Sequence, residues 1–345
     1  MGNLEKLIAD LNKESEGSVR MGVPAIPLNV KRFDVEDLNL IHLFRGGMPE
    51  AVLYELYGNP SGGKTVLSYF MLSCWQRMKE NKDRKAVIFD YEFSHDDSWA
   101  ATLGVDMSNV IVWQPRNEES AEDLFDIILK FADTGDIGFI ILDSVGSLVP
   151  KARKDKKSFE EKIMAGVSAP LTEFVNEFNS RRGKYGITMV AINQMRENMD
   201  DQYSKGRSPG GKAFKHHCGI RFVLSDVEYF NYKGESCSKY SDPAGFHILI
   251  VVEKNKVTIN DRKRATLTFR YTSGIDTFQD NIEYACLHGY IKGSGSWYEI
   301  VDYETGEVLP KRLQGMKNVY EYYKENPDKY ESLVKYIKIK ITEGE

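Results

Sequence analysis

An eight-residue glycine-rich segment, 58–65 (GNPSGGKT), has the residue types and the spacing of a phosphate-binding loop. Glycines in such a loop permit backbone angles that other residues avoid, so that consecutive N–H groups can point at phosphate oxygens. Lys64 would reach the β- and γ-phosphates of a nucleotide, and the hydroxyl of Thr65 would hold a Mg²⁺ ion. The candidate nucleotide-binding residues are this loop and the residue after it: Gly58, Asn59, Pro60, Ser61, Gly62, Gly63, Lys64, Thr65 and Val66.

The segments on either side of the loop decide between a nucleotide site and a glycine-rich turn that contains a lysine by chance. The apolar run 52–57 before it reads as a buried strand, and 66–72 after it reads as the buried face of a helix. A strand, a glycine-rich loop and a helix in that order are the structural context of a phosphate-binding loop. The N-terminus of that helix adds positive potential at the loop. The sequence therefore predicts binding of a nucleoside triphosphate.

Three polar residues end other apolar runs of the chain. Asp143 follows the run 139–142, a Walker B pattern in which the carboxylate holds Mg²⁺ together with Thr65. Glu92 could orient and deprotonate a water molecule in line with the γ-phosphate, and an ordinary strand-end acid is the alternative. Gln194 could sense the γ-phosphate through its amide, although a polar residue that ends a strand is the commoner meaning. These residues are candidates for catalysis and metal binding.

The elements that must position these residues alternate along the chain. Further strands are predicted at 85–90, 109–113, 137–144 and 187–194, with helices at 121–131 and from 159 to about 181. Pro170 predicts a kink or break in the second of these helices. Strands alternating with helices imply an α/β fold with a parallel sheet covered on both faces. Ligands of such sheets bind beyond the carboxyl ends of the strands.

The pattern changes after Ile220. Strands at 220–227, 246–253 and 265–271, joined by polar turns, predict antiparallel additions to the sheet. A small module follows residue 289, with a hairpin over 291–309 that turns around 304–306, then helices from Met316 and from Asp328 and a frayed end at 342–345. At the other terminus, residues 1–16 predict a short amphipathic helix that packs either on its own core or on a neighbouring molecule.

Two basic segments look suited to a polyanion. The first, 151–157, has five cations in seven residues, among them Lys151, Arg153 and Lys154. The second runs from Arg196 to about Lys215. It contributes the candidate contacts Arg196, Met199, Arg207, Gly210, Gly211 and Lys212. A solvated surface explains either segment alone. Because both leave the same edge of the sheet, nucleic acid is the better interpretation; Met199 could wedge between bases or be unconstrained.

Lys254 and Lys256 follow the apolar run 248–252 with one residue between them. On an extended chain their side chains point the same way. They could meet the γ-phosphate of a nucleotide in a neighbouring subunit, and a solvated strand end is the simpler alternative.

Composition limits the class of protein. The chain has 345 residues, of which 41% are hydrophobic and 28% charged, and this length predicts one large domain with small appendages. The net charge of −5 argues against a protein that simply coats nucleic acid. No apolar run is long enough to cross a bilayer, and the N-terminus lacks a secretory signal pattern. The four cysteines are scattered without metal-ligand spacing, which fits reduced thiols in the cytosol.

Taken together and in order, the motifs resemble the RecA recombinase family from about Phe33 to Ile337. They are Gly-Gly-Met-Pro before the first strand, the loop 58–65, Phe-Asp-Tyr-Glu92, Ile-Leu-Asp143-Ser-Val, Ile-Asn-Gln194, Gly210-Gly211 and Val-Glu-Lys254-Asn-Lys256. The segment 291–298 resembles the C-terminal module of the family. The segments 89–93 and 302–307 resemble the UvsX-type phage members more closely, which leaves a viral origin open.

The resemblance implies a role for several residues. Glu92 matches the catalytic glutamate of the family, and Gln194 the glutamine that couples the γ-phosphate to the second DNA-binding loop. Lys254 and Lys256 match lysines that complete the ATP site of the adjacent subunit. Three further residues fall where the family contacts adenine: Asp96, Trp99 and Tyr271. The N-terminal helix matches the segment that packs on the next protomer, and Met199 matches a residue that inserts between base triplets.

The resemblance also implies an architecture and an activity. The expected fold is a RecA-type P-loop NTPase core (33–288) with two DNA-binding loops, preceded by a polymerisation helix and linker (1–32) and followed by a small α/β module (289–345). The expected activity is a DNA-dependent ATPase that uses ATP and Mg²⁺, forms helical filaments on single-stranded DNA and exchanges strands with homologous duplex DNA. Single-strand-binding and loader proteins are further candidate partners, in the cytoplasm of a bacterium or of an infected host. A hexameric helicase-type motor and an ATP-binding mediator without strand exchange are the alternatives.

Overall fold

A computed structural model describes residues 3–14, 30–115, 119–154, 166–195, 210–258, 262–309 and 312–344. Its strands are β1 (Arg32–Phe33), β2 (Met48–Pro49), β3 (Leu53–Gly58), β4 (Lys85–Asp90), β5 (Val110–Trp113), β6 (Ile137–Asp143), β7 (Thr188–Gln194), β8 (Ile220–Phe230), β9 (Ser236–Cys237), β10 (Gly245–Asn255), β11 (Arg264–Arg270), β12 (Gly274–Ile275), β13 (Lys292–Ser294), β14 (Trp297–Glu299) and β15 (Leu313–Gln314).

The α-helices of the described ranges are α1 (Asn3–Glu14), α2 (Leu38–Phe44), α3 (Lys64–Gln76), α4 (Asp97–Thr102), α5 (Ala121–Asp133), α6 (Lys151–Lys154), α7 (Ser168–Tyr185), α8 (Gly211–His217), α9 (Thr277–Leu287), α10 (Gly315–Glu325) and α11 (Pro327–Glu343). Within the same ranges, none of them is both long and apolar enough to cross a bilayer.

One large sheet forms the centre of the molecule. Its strand order is β12-β11-β10-β8-β3-β7-β6-β4-β5, with β9 attached to β8. Every pairing from β8 through β3, β7, β6 and β4 to β5 is parallel, and β10, β11 and β12 continue the sheet in antiparallel pairings. Two groups of buried apolar side chains cover its faces, one including α3 and the other α5 and α7. The expected α/β fold with a mainly parallel central sheet is confirmed.

The first strand after Ile220 departs from the prediction of antiparallel additions. β8 pairs parallel with β3, in the register Glu55 to Arg221, and only its other edge meets β10 in antiparallel fashion. The reason is the connection that precedes it, because the chain returns through α8 to the opposite end of the sheet before β8 begins. A crossover of this kind produces a parallel neighbour.

Pro170 does not kink α7. The helix begins at Ser168, so the proline lies in the first turn, where its missing N–H removes no intrahelical hydrogen bond. The upstream part of the predicted helix, 159–165, lies outside the described residues.

The C-terminal module contains a three-stranded sheet, β13-β14-β15, and helices α10 and α11. The tight reversal of its hairpin falls between Ser294 and Trp297, whereas the predicted turn at 304–306 closes a separate bridge between Val301 and Val308. Of the end predicted to be frayed, 342–345, the first two residues belong to α11, and the Thr342 hydroxyl donates to the Lys338 carbonyl at 2.8 Å. Gly344 ends the helix, and Glu345 lies outside the described residues.

Two carboxylates are buried together where α2, β11 and α9 meet. Asp37 caps α2 by accepting the Leu40 N–H at 3.0 Å, and Asp280 accepts the Thr268 N–H at 2.8 Å. Burial raises the pKa of Asp37 to about 7. Burial, and then the charge of Asp37, raises the pKa of Asp280 well above its usual value. The folded protein therefore retains protons here that the unfolded chain would release.

This pair predicts that folding stability declines between about pH 4 and pH 7. A carboxyl whose pKa is raised on folding imposes no penalty while both states are protonated, and it destabilises the fold as the unfolded chain ionises, by at most roughly 1.4 kcal/mol per pH unit and group. Urea unfolding midpoints at pH 5 and pH 7 measure the decline. The Asp280→Asn variant should show a shallower pH dependence, and an unchanged slope would contradict this account.

Candidate nucleotide site and its surroundings

A cavity of about 380 Å³ lies at the carboxyl ends of β3, β4, β6 and β7. Most of the predicted nucleotide and catalytic residues line it together. The lining residues are Pro60, Ser61, Gly62, Gly63, Lys64, Thr65, Val66, Glu92, Trp99, Asp143, Ile192, Gln194, Tyr229, Phe246, Phe269 and Tyr271. Ligands of parallel α/β sheets bind at this edge.

The glycine-rich loop is shaped by close packing on strands β8 and β10. A Cβ atom at Gly58 would lie 2.0 Å from the carbonyl oxygen of Leu224, so that position admits only glycine. Gly63 has a left-handed φ of +83°, and a Cβ atom there would lie 2.6 Å from the side chain of Ile248. The other left-handed residue of the loop is Ser61 (φ +63°) rather than Gly62. The loop is therefore held in a fixed shape by its neighbours.

Lys64 begins α3 and lies over the loop. Its Nζ donates to the carbonyl oxygens of Asn59 at 2.6 Å and Gly58 at 3.2 Å. The side chain is nearly buried, and burial lowers the pKa of Lys64. Phosphate oxygens would be stronger acceptors for this ammonium than backbone carbonyls. The residue fits a phosphate-binding role.

Thr65 and Asp143 form a donor set for a divalent cation. The Thr65 hydroxyl donates to Asp143 Oδ2 at 3.1 Å. Burial, and then the neighbouring charge of Glu92, raises the pKa of Asp143 to about 6. A buried carboxylate that favours its neutral form would gain from a nearby cation. Mg²⁺ is commonly held by one or two such oxygens together with substrate phosphates, and no group of three or more His, Cys, Asp or Glu in the described ranges could hold a metal alone.

Three donors converge on one oxygen of Glu92. Its Oε1 accepts from Ser144 Oγ at 2.5 Å, from Gln194 Nε2 at 2.9 Å and from Ser147 Oγ at 3.1 Å. The two predicted γ-phosphate residues, Glu92 and Gln194, are thus in direct contact. Sequence reasoning did not select Ser144 or Ser147, although Ser144 directly follows the Walker B aspartate.

The segment after Glu92 is fixed by Asp90, the last residue of β4. Its carboxylate accepts the backbone N–H groups of Ser94 at 3.1 Å and His95 at 3.0 Å, and the amide of Gln114 at 2.9 Å. These bonds hold the turn that carries Glu92 at the mouth of the cavity.

Aromatic side chains form the opposite end of the cavity. Trp99 packs edge-on against Phe269 with ring centroids 5.8 Å apart, Phe269 contacts Tyr271 at 5.3 Å, and Tyr229 contacts Phe246 at 5.3 Å. This arrangement suits the flat, apolar face of a nucleotide base. Sequence reasoning identified Trp99 and Tyr271 and missed Tyr229, which reaches the cavity only because β8 runs parallel to β3.

Asp96 does not line the cavity. Its carboxylate caps α4 by accepting the Trp99 N–H at 2.6 Å. This bond orients Trp99, and the contact of Asp96 with adenine stays a prediction.

Lys254 and Lys256 lie near the amino-terminal ends of the parallel strands, on the side of the sheet opposite the cavity. Lys254 pairs with Arg221 near the start of β8, far from the carboxyl ends of the parallel strands. Its Nζ donates to the carbonyl oxygens of Lys215 at 2.5 Å and His216 at 2.7 Å, in the last turn of α8, whereas Lys256 is exposed. Neither lysine can reach the nucleotide cavity of its own chain.

The two basic segments lie mostly outside the described residues. Arg196, Met199 and Arg207 fall outside them, and so do the side chains of Arg153 and Lys154. Lys151 and Lys212 are exposed.

The described end of the second segment packs closely on α7. A Cβ atom at Gly211 would lie 3.0 Å from the side chain of Ser168, and one at Gly210 would lie 3.0 Å from Leu171. Both glycines have left-handed φ angles, +102° for Gly210 and +76° for Gly211. The end of the second segment therefore packs on the first turn of α7.

The chain is similar to proteins of known family. A family model described as the RecA N-terminal domain matches residues 4–276. Protein RecA of Fusobacterium nucleatum is 30% identical over 321 residues, which cover 92% of this chain and 78% of that protein. Protein RecA of Mesoplasma florum is 30% identical, covering 82% of this chain and 79% of that protein. Protein RecA of Mycoplasma mycoides is 28% identical, with 99% and 93% covered.

Proposed function

Because the chain belongs to the RecA family, we propose that it is an ATP-dependent recombinase that forms helical filaments on single-stranded DNA and promotes homologous pairing and strand exchange. The observation that carries this proposal is the contact between Glu92 and Gln194 beside the phosphate-binding loop. Gln194 is the last residue of β7, and the second basic segment begins two residues later, at Arg196. A residue of the ATP site is thus joined to a segment suited to DNA.

The side chains of the cavity have complementary roles in this proposal. Lys64 and the backbone of its loop bind the phosphates, while the aromatic end holds the base. Mg²⁺ on Thr65 and Asp143 would neutralise phosphate charge. Glu92 orients a water molecule and accepts its proton. Gln194 contacts the γ-phosphate, and to do so its amide leaves its present hydrogen-bond acceptor, Glu92 Oε1.

Three features support hydrolysis that depends on DNA and on a second protomer. DNA bound to the segment after Gln194 would change where the Gln194 amide lies and so free Glu92. Lys254 and Lys256 lie on the opposite side of the sheet from their own cavity, which supports a role for them in the site of an adjacent copy. The half-exposed Leu7 of α1 leaves an apolar residue for packing on such a neighbour.

The test of this function is ATP turnover measured with and without single-stranded DNA over a range of protein concentrations. Stimulation by DNA that rises cooperatively with concentration is expected, because each complete site would need two protomers. Strand exchange between a single strand and a homologous duplex, with open helical filaments in electron micrographs, is the second expected result. Closed rings with duplex unwinding would favour a helicase-type motor, and negligible turnover would favour a mediator.

The Lys254→Ala variant is expected to depress turnover in a mixed filament even though its own phosphate-binding loop is intact. A charge supplied in trans to the γ-phosphate stabilises the transition state of the neighbouring site. Lys254→Ala is mixed with Lys64→Ala on single-stranded DNA, because each variant keeps the group that the other lacks. Lysines that act in trans should restore turnover that neither variant shows alone, whereas lysines that act on their own site should restore none. Lys233→Ala, at an exposed turn, is the control for loss of a lysine elsewhere and should turn over ATP as wild type does. Turnover of the mixture no higher than that of the two variants measured separately would contradict action in trans.

ATP is the nucleotide, and homologous duplex DNA is the second substrate. Single-strand-binding and loader proteins are the proposed partners, and the cytoplasm of a bacterium or of an infected host is the proposed compartment.

A further inference from the structure

A chain of hydrogen-bonded polar side chains crosses four neighbouring strands of the central sheet. Glu253 on β10 accepts from Arg221 on β8, and Arg221 Nε donates to Glu55 Oε2 on β3 at 2.5 Å. Glu55 Oε1 in turn accepts from Asn193 Nδ2 on β7 at 2.9 Å. Glu55 and Arg221 face each other in the parallel register of β3 and β8. The chain runs from the edge of the sheet that carries Lys254 to the strand that ends in Gln194.

The inner members of this chain are held firmly. Glu55 and Asn193 are completely buried, and Arg221 is 7% exposed. A buried charge that loses its partner is strongly destabilising, so each member constrains the position of the next. The guanidinium of Arg221 also lies over the ring of Tyr57, 4.9 Å from its centroid.

The inner end of the chain reaches the ATP site. Asn193 Oδ1 accepts the backbone N–H of Gln194 at 3.0 Å, while its Nδ2 is held by Glu55. Gln194 Nε2 donates to Glu92 Oε1 at 2.9 Å. The orientation of Asn193 therefore sets where Gln194 begins, and Gln194 contacts the carboxylate proposed to activate water.

The outer end of the chain reaches the surface beside the lysines. The side chain of Glu253 is 44% exposed, and the next residue, Lys254, donates to the last carbonyls of α8. If Lys254 turns to a phosphate of an adjacent protomer, it gives up these carbonyls. The surroundings of Glu253, the outermost member of the hydrogen-bonded chain, then change.

We propose that Glu55 and Asn193 are positioning residues for Gln194, and that Arg221 and Glu253 extend this chain to the interface so that adjacent ATP sites influence each other. This inference rests on the proposed function, because it assumes that Lys254 meets nucleotide in trans. The hydrogen-bonded chain connects the ATP site that a protomer completes for its neighbour with the ATP site that the same protomer carries. Energetic coupling between two binding sites acts in both directions, so each site influences the other.

The test uses full-length protein on single-stranded DNA and compares Glu253→Gln with Glu228→Gln. Glu253→Gln removes the charge at the exposed outer end without opening the core. Glu228→Gln makes the same change at an exposed position of β8 that lies outside the hydrogen-bonded chain of side chains. ATP turnover is measured against ATP concentration, and the Hill coefficient, half-saturating ATP and maximal rate are compared with the thermal midpoint of unfolding.

We expect Glu253→Gln to lower the Hill coefficient toward 1 and to shift half-saturating ATP by roughly 2- to 30-fold, with little change in thermal midpoint. Glu228→Gln should match wild type. Asn193→Asp, at the inner end, should lower the maximal rate as well. In the double variant, the effect of Glu253→Gln should shrink, because the chain is already broken.

Two failures can be told apart. Wild-type protein without DNA-stimulated turnover overturns the proposed function, and this inference with it. Cooperative wild-type turnover with Glu253→Gln indistinguishable from Glu228→Gln overturns the coupling chain alone. Wild-type turnover with a Hill coefficient of 1 also overturns it, because the adjacent sites would then be independent.

Discussion

Replacing Glu92 by glutamine is expected to slow DNA-stimulated ATP turnover by at least roughly 100-fold while ATP still binds with nearly unchanged affinity. A positioned general base contributes about 10²- to 10⁴-fold, and an amide cannot accept the proton of the attacking water. The glutamine carbonyl can still accept from Ser144 and Ser147, so the geometry of the site should survive.

Single-turnover hydrolysis measures this loss, and equilibrium binding of a non-hydrolysable ATP analogue measures the affinity. Glu228→Gln serves as the control for an isosteric loss of charge elsewhere in the sheet. Normal turnover by the Glu92 variant would remove this carboxylate from the mechanism.

Replacing Lys64 by alanine is expected to abolish measurable nucleotide binding, with an affinity at least roughly 100-fold weaker than that of wild type. Hydrogen bonds to charged groups contribute about 1.5–3 kcal/mol each, and Lys64 would make them to two phosphates. The free protein should fold normally, since Nζ is bonded only to carbonyl oxygens of its own loop in the described contacts.

The rise in thermal midpoint on adding ATP and Mg²⁺ reports this binding, because a ligand of the folded state stabilises it by mass action. Wild type should show the rise and Lys64→Ala should lack it. Lys79→Ala, an exposed lysine outside the cavity, should behave as wild type. A ligand-induced rise that persists in Lys64→Ala would show that the loop binds phosphate without its lysine.

The parts of the fold and site that sequence predicts well depend on local pattern. β4 was expected at 85–90 and is found there, because its apolar run is uninterrupted and ends in a charged residue. The phosphate-binding loop is equally local, since eight consecutive residues carry its chemistry. The family resemblance, which rests on the order of such motifs, is confirmed.

The parts that sequence does not predict depend on contacts between distant segments. Ser147 reaches Glu92, 55 residues away, only after β6 and β4 have paired. The ion pair between Arg221 and Glu55 joins residues 166 positions apart. It requires the parallel pairing of β8 with β3, which the predicted antiparallel additions did not include. The cap that Asp96 Oδ1 forms on α4 was likewise not predicted from sequence.

Because the phosphate-binding loop and Lys254 lie on opposite sides of the sheet, a linear assembly would hold fewer complete ATP sites than protomers. If every complete site takes its loop from one protomer and its lysines from the next, a linear assembly of n protomers contains n − 1 complete sites. Turnover per protomer then grows with assembly length and approaches a plateau, and the protomer at one end is always idle. Short DNA that seats few protomers should therefore support a lower specific activity than long DNA, even when every protomer is bound.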